Sequence, residues 1–82
     1  MNEREALLER LAELEHEQWV AWSRAVAPEV DAERRRRWEE CWIPYPQLPE
    51  DVKELDRVWA RKVLTLLEAN GSQATGARAN PP

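Results

Sequence analysis

Four internal prolines decide which parts of this chain can form helices. Pro28 separates two helix-forming segments, and Pro44, Pro46 and Pro49 interrupt the chain again. Proline lacks a backbone N–H and biases the preceding residue toward an extended conformation, so helix interiors exclude it. The prolines therefore predict three helical segments, with a stiff extended connector over residues 43–48.

Good helix formers fill all three segments, and capping signals mark their ends. Asn2 and Asp31 are suitable N-caps, Pro49 suits a first helical position, and Gly71 is well placed to end the last helix. The predicted helices run from Asn2 to about Ala27, from Asp31 to about Trp42, and from Pro49 to about Ala69 or Asn70.

These segments predict an all-α fold of two long helices, one short helix and a Pro-rich crossing segment. Residues 1–70 form one domain, and residues 71–82, which lack apolar periodicity, are expected to be a disordered tail. About seventy residues bury only a thin core, although five tryptophans add apolar area. We therefore expect a homodimer, because association stabilises a marginal fold.

Charge and cysteine content exclude several classes of protein. A net charge of -4 argues against DNA or RNA binding, which needs an excess of basic side chains. One cysteine and one histidine leave no disulfide and no structural zinc site, so no metal or cofactor is expected. No apolar run approaches the roughly 20 residues of a membrane span, so we predict a cytoplasmic protein without a membrane partner.

The first helix places an acid among apolar residues. At about 100° per residue, one face carries Leu7, Leu8, Leu11, Leu14, Trp22, Ala25 and Val26, with Trp19 at its border. Glu15 shares this face, and His16 lies on the next flank beside Trp19. An unpaired carboxylate there must stay hydrated, find a donor or lose its charge. Glu15 is thus either a structural acceptor or a ligand acceptor.

The other segments repeat this mixture of apolar and charged residues. On the second helix the predicted inward residues are Arg34, Trp38, Cys41 and, at the edge, Trp42. The third helix has a stripe of Val52, Leu55, Trp59, Val63 and Leu66, with Asp56, Lys62 and Leu67 at its margins and Arg57 and Arg61 pointing outward. Ile43, Tyr45 and Leu48 are expected to pack across the helices. Trp19, Trp22 and Trp59 are expected in the core, while Trp38 and Trp42 suit a partly open stacking surface.

The candidate chemical groups do not indicate an enzyme. Glu15 and His16 are adjacent and diverge by about 100° on a helix, so they do not naturally share a substrate. Cys41, without a second histidine, is expected to be a core thiol. Glycine-rich phosphate-binding loops are absent from the sequence.

Three stretches together resemble the RyR domain, the repeat named for the ryanodine receptor and also found as a free-standing bacterial and phage protein. They are Leu-Ala-Glu-Leu-Glu-His-Glu-Gln-Trp over 11–19, Ile-Pro-Tyr with Leu-Pro-Glu over 43–50, and Lys-Glu-Leu-Asp-Arg over 53–57. The chain departs from the family pattern after the first helix, where residues 25–28 replace a Gly-Trp turn.

The resemblance implies a helical module that binds rather than catalyses. It favours a nucleotide-derived ligand, such as an ADP-ribose-like molecule or a cyclic nucleotide. If the gene belongs to a phage, the protein would then sequester a host immune signal. The alternative is a protein-interaction or scaffold module with a tryptophan-rich interface. The candidate ligand-binding residues are Glu15, His16, Trp19, Arg34, Arg37, Trp38, Trp42, Tyr45, Arg57 and Lys62.

Overall fold

The structure is a computed structural model that describes the backbone of residues 2–77 and the side chains of residues 2–71. Its helices are α1 (Glu3–Val26), α2 (Ala32–Glu39) and α3 (Glu50–Ala77), with 3₁₀ turns at Ala27–Glu29 and Tyr45–Gln47. The predicted all-α class, with two long helices and one short helix, is confirmed. No helix of this described part is both long and apolar enough to cross a bilayer.

The predicted helix starts are confirmed by their hydrogen bonds. The Asn2 side chain accepts from the Glu5 backbone N–H at 2.7 Å, and the Glu5 carboxylate accepts from the Asn2 N–H at 3.1 Å. This reciprocal pair is a capping box, which satisfies N–H groups that have no partner inside the helix. Asp31 accepts from the Arg34 N–H at 2.8 Å, and α3 begins immediately after Pro49.

Two predicted helix ends are wrong. α2 ends at Glu39, before Trp42, and α3 continues through Gly71 to Ala77. A glycine inside a helix costs only about 1 kcal/mol relative to alanine, so Gly71 can end the helix but does not have to. Residues 78–82 of the predicted tail lie outside the described residues.

The connector is less extended than predicted, because Tyr45–Gln47 forms a 3₁₀ turn. The Leu48 N–H donates to the Tyr45 carbonyl at 3.0 Å, and the Gln47 N–H donates to the Pro44 carbonyl at 2.9 Å. Pro46 lies in the first turn, where a helix does not require its N–H. The prolines therefore exclude a long helix here but permit a single turn.

The core lies where the connector crosses α1 and α3. Its buried residues are Ala12, Tyr45, Leu48 and Ala60, and Leu8, Leu11, Cys41, Ile43 and Val52 pack against them. The predicted packing of Ile43, Tyr45 and Leu48 across the helices is confirmed. The two long helices run antiparallel, since Arg4 pairs with Glu68 whereas Glu9 pairs with Arg57.

The predicted inward faces of the long helices are wrong in part, although Leu8, Leu11 and Val52 do pack against the core. Large apolar residues on both helices are exposed, among them Leu7, Leu14 and Trp22 on α1 and Leu55, Val58, Trp59, Leu66 and Leu67 on α3. Trp22 and Trp59, expected in the core, are 54% and 56% exposed. The smallest dimension of the chain is 14 Å, little more than one helix diameter. The helices thus form a single layer that leaves apolar surface uncovered.

Candidate functional site

A hollow of about 400 Å³ opens between α1 and α3 on the exposed apolar side of α3. Its lining residues are Glu15, His16, Trp19, Cys41, Val52, Leu55, Asp56 and Trp59. We call it the indole hollow because Trp19 contributes one indole from α1 and Trp59 another from α3. Its volume lies within the range of small-molecule sites.

His16 forms the floor of the indole hollow and has a fixed orientation. Its side chain is 5% exposed, and Nε2 lies 2.7 Å from the Ile43 carbonyl oxygen. A carbonyl only accepts, so Nε2 carries a proton and donates it. The other ring nitrogen, Nδ1, lies 3.8 Å from Asp56 Oδ2, too far for a hydrogen bond.

Asp56 is the acid whose hydrogen-bonding capacity the protein leaves unused. Its side chain is 17% exposed, and none of the described residues donates a hydrogen bond to it. Burial raises the pKa of Asp56, the His16 ring opposes this effect, and the charge of Glu15 adds to it. The 3.8 Å approach of His16 Nδ1 is an ion-pair distance when the ring is protonated, but it leaves both Asp56 oxygens able to accept hydrogen bonds from a molecule inside the hollow.

The two indole walls differ in how firmly they are held. Trp19 packs edge-on against Trp38 at 6.0 Å between ring centroids and stacks on His16 at 6.1 Å. Trp59 is mostly exposed, and Lys62 Nζ lies 4.3 Å from its ring centroid. One wall is fixed by its neighbours, and the other forms an open rim.

Glu15 lines the indole hollow beside these groups and is half-buried. No described donor hydrogen-bonds its carboxylate, so the structural-acceptor alternative has no partner in the described chain. That structural role belongs to Glu9, which the sequence analysis did not select.

Glu9 belongs to a second polar group, which we call the Glu9 cluster: Glu9, Tyr45, Glu50 and Arg57. Glu9 accepts from the Tyr45 hydroxyl at 2.8 Å and from Arg57 Nε at 2.7 Å. Arg57 also donates to Glu50 at 3.0 Å. The prediction that Arg57 points outward is wrong, since its side chain is only 19% exposed.

Contacts within the Glu9 cluster shift the pKa values of its members so that Glu9 stays ionised and Tyr45 stays neutral. The Arg57 guanidinium holds the pKa of Glu9 below its usual range, partly offset by burial. Burial, together with the hydrogen bond to Glu9, raises the pKa of Tyr45 to about 12. Glu9 lies on the same helical face as Ala12 and His16, at spacings of three and seven residues, and this spacing was the available signal.

The predicted basic residues do not line the indole hollow. Arg34 is exposed, so its inward assignment is wrong, and Arg37 forms an exposed ion pair with Glu33 at 3.1 Å. Lys62 contacts the hollow's rim only through the Trp59 ring. Phosphate-binding charge is therefore placed outside the hollow.

Trp42 and Tyr45 lie on the other side of His16. There they line a separate hollow of about 310 Å³, in which Trp42 packs against the Arg24 guanidinium at 5.2 Å. The Trp42 indole N–H donates to Ser23 at 2.9 Å, and Tyr45 belongs to the Glu9 cluster.

Of the ten candidate residues, three line the indole hollow: Glu15, His16 and Trp19. Asp56 and Trp59 also line it, and the sequence did not select them as ligand-binding residues.

The site also contains side chains of the types that bind metals or act as nucleophiles, among them His16, Asp56 and Cys41. Among the described residues, no group of three or more His, Cys, Asp or Glu side chains is arranged to hold a metal ion. Burial raises the pKa of the Cys41 thiol, which disfavours the nucleophilic thiolate.

The indole hollow thus combines a fixed imidazole, two indoles and two acids without hydrogen-bond donors from the described chain. Such an arrangement suits binding of a flat molecule that carries donors. No protein-family model matches the chain, and neither a curated protein nor a solved structure matches it. The RyR-domain resemblance therefore stays a prediction.

Proposed function

We propose that this protein is a non-enzymatic binder of a nucleotide-derived ligand whose base enters the indole hollow. The observation that carries the proposal is Asp56, a largely buried acceptor without a described hydrogen-bond donor, which lines the same hollow as the indoles of Trp19 and Trp59. Base stacking on an aromatic side chain contributes about 1–3 kcal/mol per base. A buried acceptor adds directional selectivity to that stacking.

The ligand's phosphate groups would remain outside the hollow. Glu15 and Asp56 repel anions from its interior. The cations are on α2, which carries four arginines and contacts the Trp19 wall through Trp38. Trp38 packs on Trp19, and Arg34 lies one helical turn before Trp38 on α2. This arrangement orients a nucleotide with its base inward and its phosphate toward α2.

Binding without chemistry is the mode that the side chains favour. His16 uses one ring nitrogen to donate to the Ile43 carbonyl, and the described lining contains no arginine, lysine or amide side chain to stabilise a developing oxyanion. In a phage, such a cytoplasmic protein would sequester an immune signalling nucleotide of its host, as the RyR resemblance implies.

Thermal-shift and calorimetric titrations test the proposal directly. The panel contains nucleoside monophosphates, ADP-ribose and cyclic dinucleotides. At a ligand concentration 100 times Kd we expect stabilisation of about 2.7 kcal/mol. The absence of stabilisation by every compound at millimolar concentration would contradict the proposal.

Two tryptophan variants provide a matched comparison for the same titration. Trp59→Ala removes an exposed wall of the hollow, so it should fold normally and lose binding. Trp22→Ala removes a tryptophan of similar exposure, 54%, that does not line the hollow and packs on Trp38 behind the Trp19 wall. We expect the second variant to bind as the unaltered protein does.

A second candidate function is a protein-interaction module, and it is favoured by the uncovered apolar row of α3. Leu55, Trp59 and Leu66 follow helical spacing along one side of this helix and are all exposed. Because domains normally bury such surfaces between two layers, a second copy of this single-layer chain is the occupant we propose.

The oligomeric state tests this second candidate. Light scattering coupled to size-exclusion chromatography should give the mass of a dimer for the unaltered chain and that of a monomer for Leu66→Glu. Leu66 is 63% exposed and does not line the indole hollow, so this substitution leaves the ligand site intact. A monomer at every concentration of the unaltered chain would contradict the homodimer.

A further inference from the structure

Hydrogen-bond acceptors outnumber donors among the side-chain atoms that line the indole hollow. Apart from the N–H groups of its indole walls and the Cys41 thiol, its polar side-chain atoms are acceptors: the carboxylate oxygens of Glu15 and Asp56 and, in the neutral ring, His16 Nδ1. Arginine, lysine, amide and hydroxyl side chains are absent from the described lining residues. A ligand edge that faces the two carboxylates must therefore carry donors.

A carboxylate makes its strongest contacts with two adjacent donors. Its two oxygens accept two parallel N–H bonds in one plane, as in bidentate pairs with arginine. Among the common bases, guanine presents such an edge through its N1–H and its N2 amino group. Adenine and cytosine place one amino donor beside a ring nitrogen that accepts, and this acceptor would face a carboxylate oxygen.

We propose that the indole hollow selects guanine, with the Asp56 carboxylate accepting from N1–H and from the N2 amino group. This inference rests on the proposed function and specifies its ligand. The indoles of Trp19 and Trp59 both line the hollow and offer stacking faces to the flat base, and the charge of Glu15 disfavours phosphate inside it. Asp56 lies on α3 one helical turn before Trp59, so a single helix supplies both the selective acid and one wall.

Isothermal titration with four monophosphates tests the selectivity. GMP has both donors, IMP lacks the amino group, AMP offers only one donor, and XMP has a carbonyl in place of the amino group. We expect GMP to bind at least about tenfold more tightly than IMP or AMP, since a good bidentate pair gives discrimination of this order.

The variant Asp56→Asn gives a sharper test because it replaces one carboxylate oxygen, an acceptor, by an amide NH₂, a donor. Its amide carbonyl still accepts from N1–H, but its amide NH₂ now faces the amino group of guanine. XMP presents a carbonyl at that position, so the variant should prefer XMP to GMP. Asp51→Asn, an exposed acid on the same helix that does not line the hollow, should retain the preference for GMP.

The outcomes separate this inference from the proposed function. Equal affinities for GMP, IMP and AMP, all lost in Trp59→Ala, would overturn the role of Asp56 while leaving nucleotide binding intact. Failure of every nucleotide to bind would contradict the proposed function itself. Benzamidine supplies two adjacent N–H donors without a base or phosphate, and tighter binding of benzamidine than of GMP would overturn the assignment to guanine.

Discussion

Glu9 and Asp56 are both carboxylates between α1 and α3, yet their surroundings are opposite. Glu9 accepts from Tyr45 and Arg57 at 2.8 Å and 2.7 Å, whereas Asp56 has no described hydrogen-bond donor and lies 3.8 Å from His16 Nδ1. The pKa of Glu9 is lowered by its partners, and that of Asp56 is raised by burial. A carboxylate that faces the protein interior therefore indicates a binding site only where no group of the protein donates a hydrogen bond to it.

The same contrast gives the two acids opposite effects on stability as pH changes. The lowered pKa of Glu9 means that its contribution is present above the usual carboxyl pKa and is lost as pH falls through the folded-state value. The raised pKa of Asp56 means that folding favours its protonated form, so its unfavourable contribution disappears as pH falls. Three substitutions test this comparison, the largest expected effect first.

Glu9→Ala should cause the largest loss of stability. It leaves Arg57 and the Tyr45 hydroxyl without their common acceptor, and we expect a cost of about 2 kcal/mol. For a domain of this size that lowers Tm by roughly 8–16 °C, which differential scanning calorimetry measures. Glu17→Ala, an exposed acid on the same helix, should change Tm little. Equal Tm values for the two variants would mean that the Glu9 cluster is not a stabilising group.

Tyr45→Phe should have an intermediate effect of about 1 kcal/mol at neutral pH, since it removes one hydrogen bond and keeps the buried ring. Folding favours the neutral phenol, whose pKa is raised to about 12. The tyrosine's contribution is therefore present below about pH 10, the usual phenol pKa, and is lost as pH rises toward 12. Urea unfolding from pH 9 to 12 should show a larger loss in the unaltered chain than in the variant, in which the Cys41 thiol of raised pKa still titrates. A parallel pH dependence in the variant would argue against it.

Asp56→Asn should have the smallest effect on stability, with the opposite sign. Replacing a carboxylate that lacks hydrogen-bond donors by a neutral amide should leave stability unchanged or raise it by up to about 1 kcal/mol at pH 7. The gain should shrink as pH falls and Asp56 of the unaltered chain becomes protonated. Thermal unfolding at several pH values measures it. A decrease as large as that of Glu9→Ala would place Asp56 among the structural acids.

Local signals in the sequence were sufficient to predict the elements of this fold. Caps such as Asn2 and Asp31 act through hydrogen bonds to residues three positions away, so short motifs report them accurately. Pro49 likewise marks the start of α3 by constraining its own backbone. The prolines of the connector explain why Tyr45 and Leu48 pack across the helices without forming a longer one.

The inward faces could not be predicted from apolar periodicity, because the helices meet through small residues. Ala12, Ala60 and Ser23 are fully buried, whereas the larger Trp22 and Trp59 remain exposed. Small side chains permit close packing of helices but carry little weight in a pattern based on hydrophobicity. The apolar stripes therefore predicted some core contacts correctly, such as those of Leu8, Leu11 and Val52, and otherwise marked exposed surface.

The sequence predicts only part of the candidate site, because spacing along one helix is informative and packing between helices is not. Glu15, His16 and Trp19 lie within five residues of one another, and the first helix brings them together. Asp56 and Trp59 reach the hollow only through the packing of α3, which sequence spacing cannot specify. Because apolar periodicity predicts a partly wrong buried face for α3, it places Asp56 at the margin of that face and Arg57 on the solvent side.

The orientation of the His16 ring has a practical consequence for spectroscopy. The chain has a single histidine, so its imidazole resonances in an NMR spectrum need no assignment by mutagenesis. One ring nitrogen is bonded to the Ile43 carbonyl, while the opposite nitrogen borders the indole hollow. The chemical shifts of these two nitrogens therefore provide a native reporter that distinguishes a molecule entering the cavity from a rearrangement of the connector.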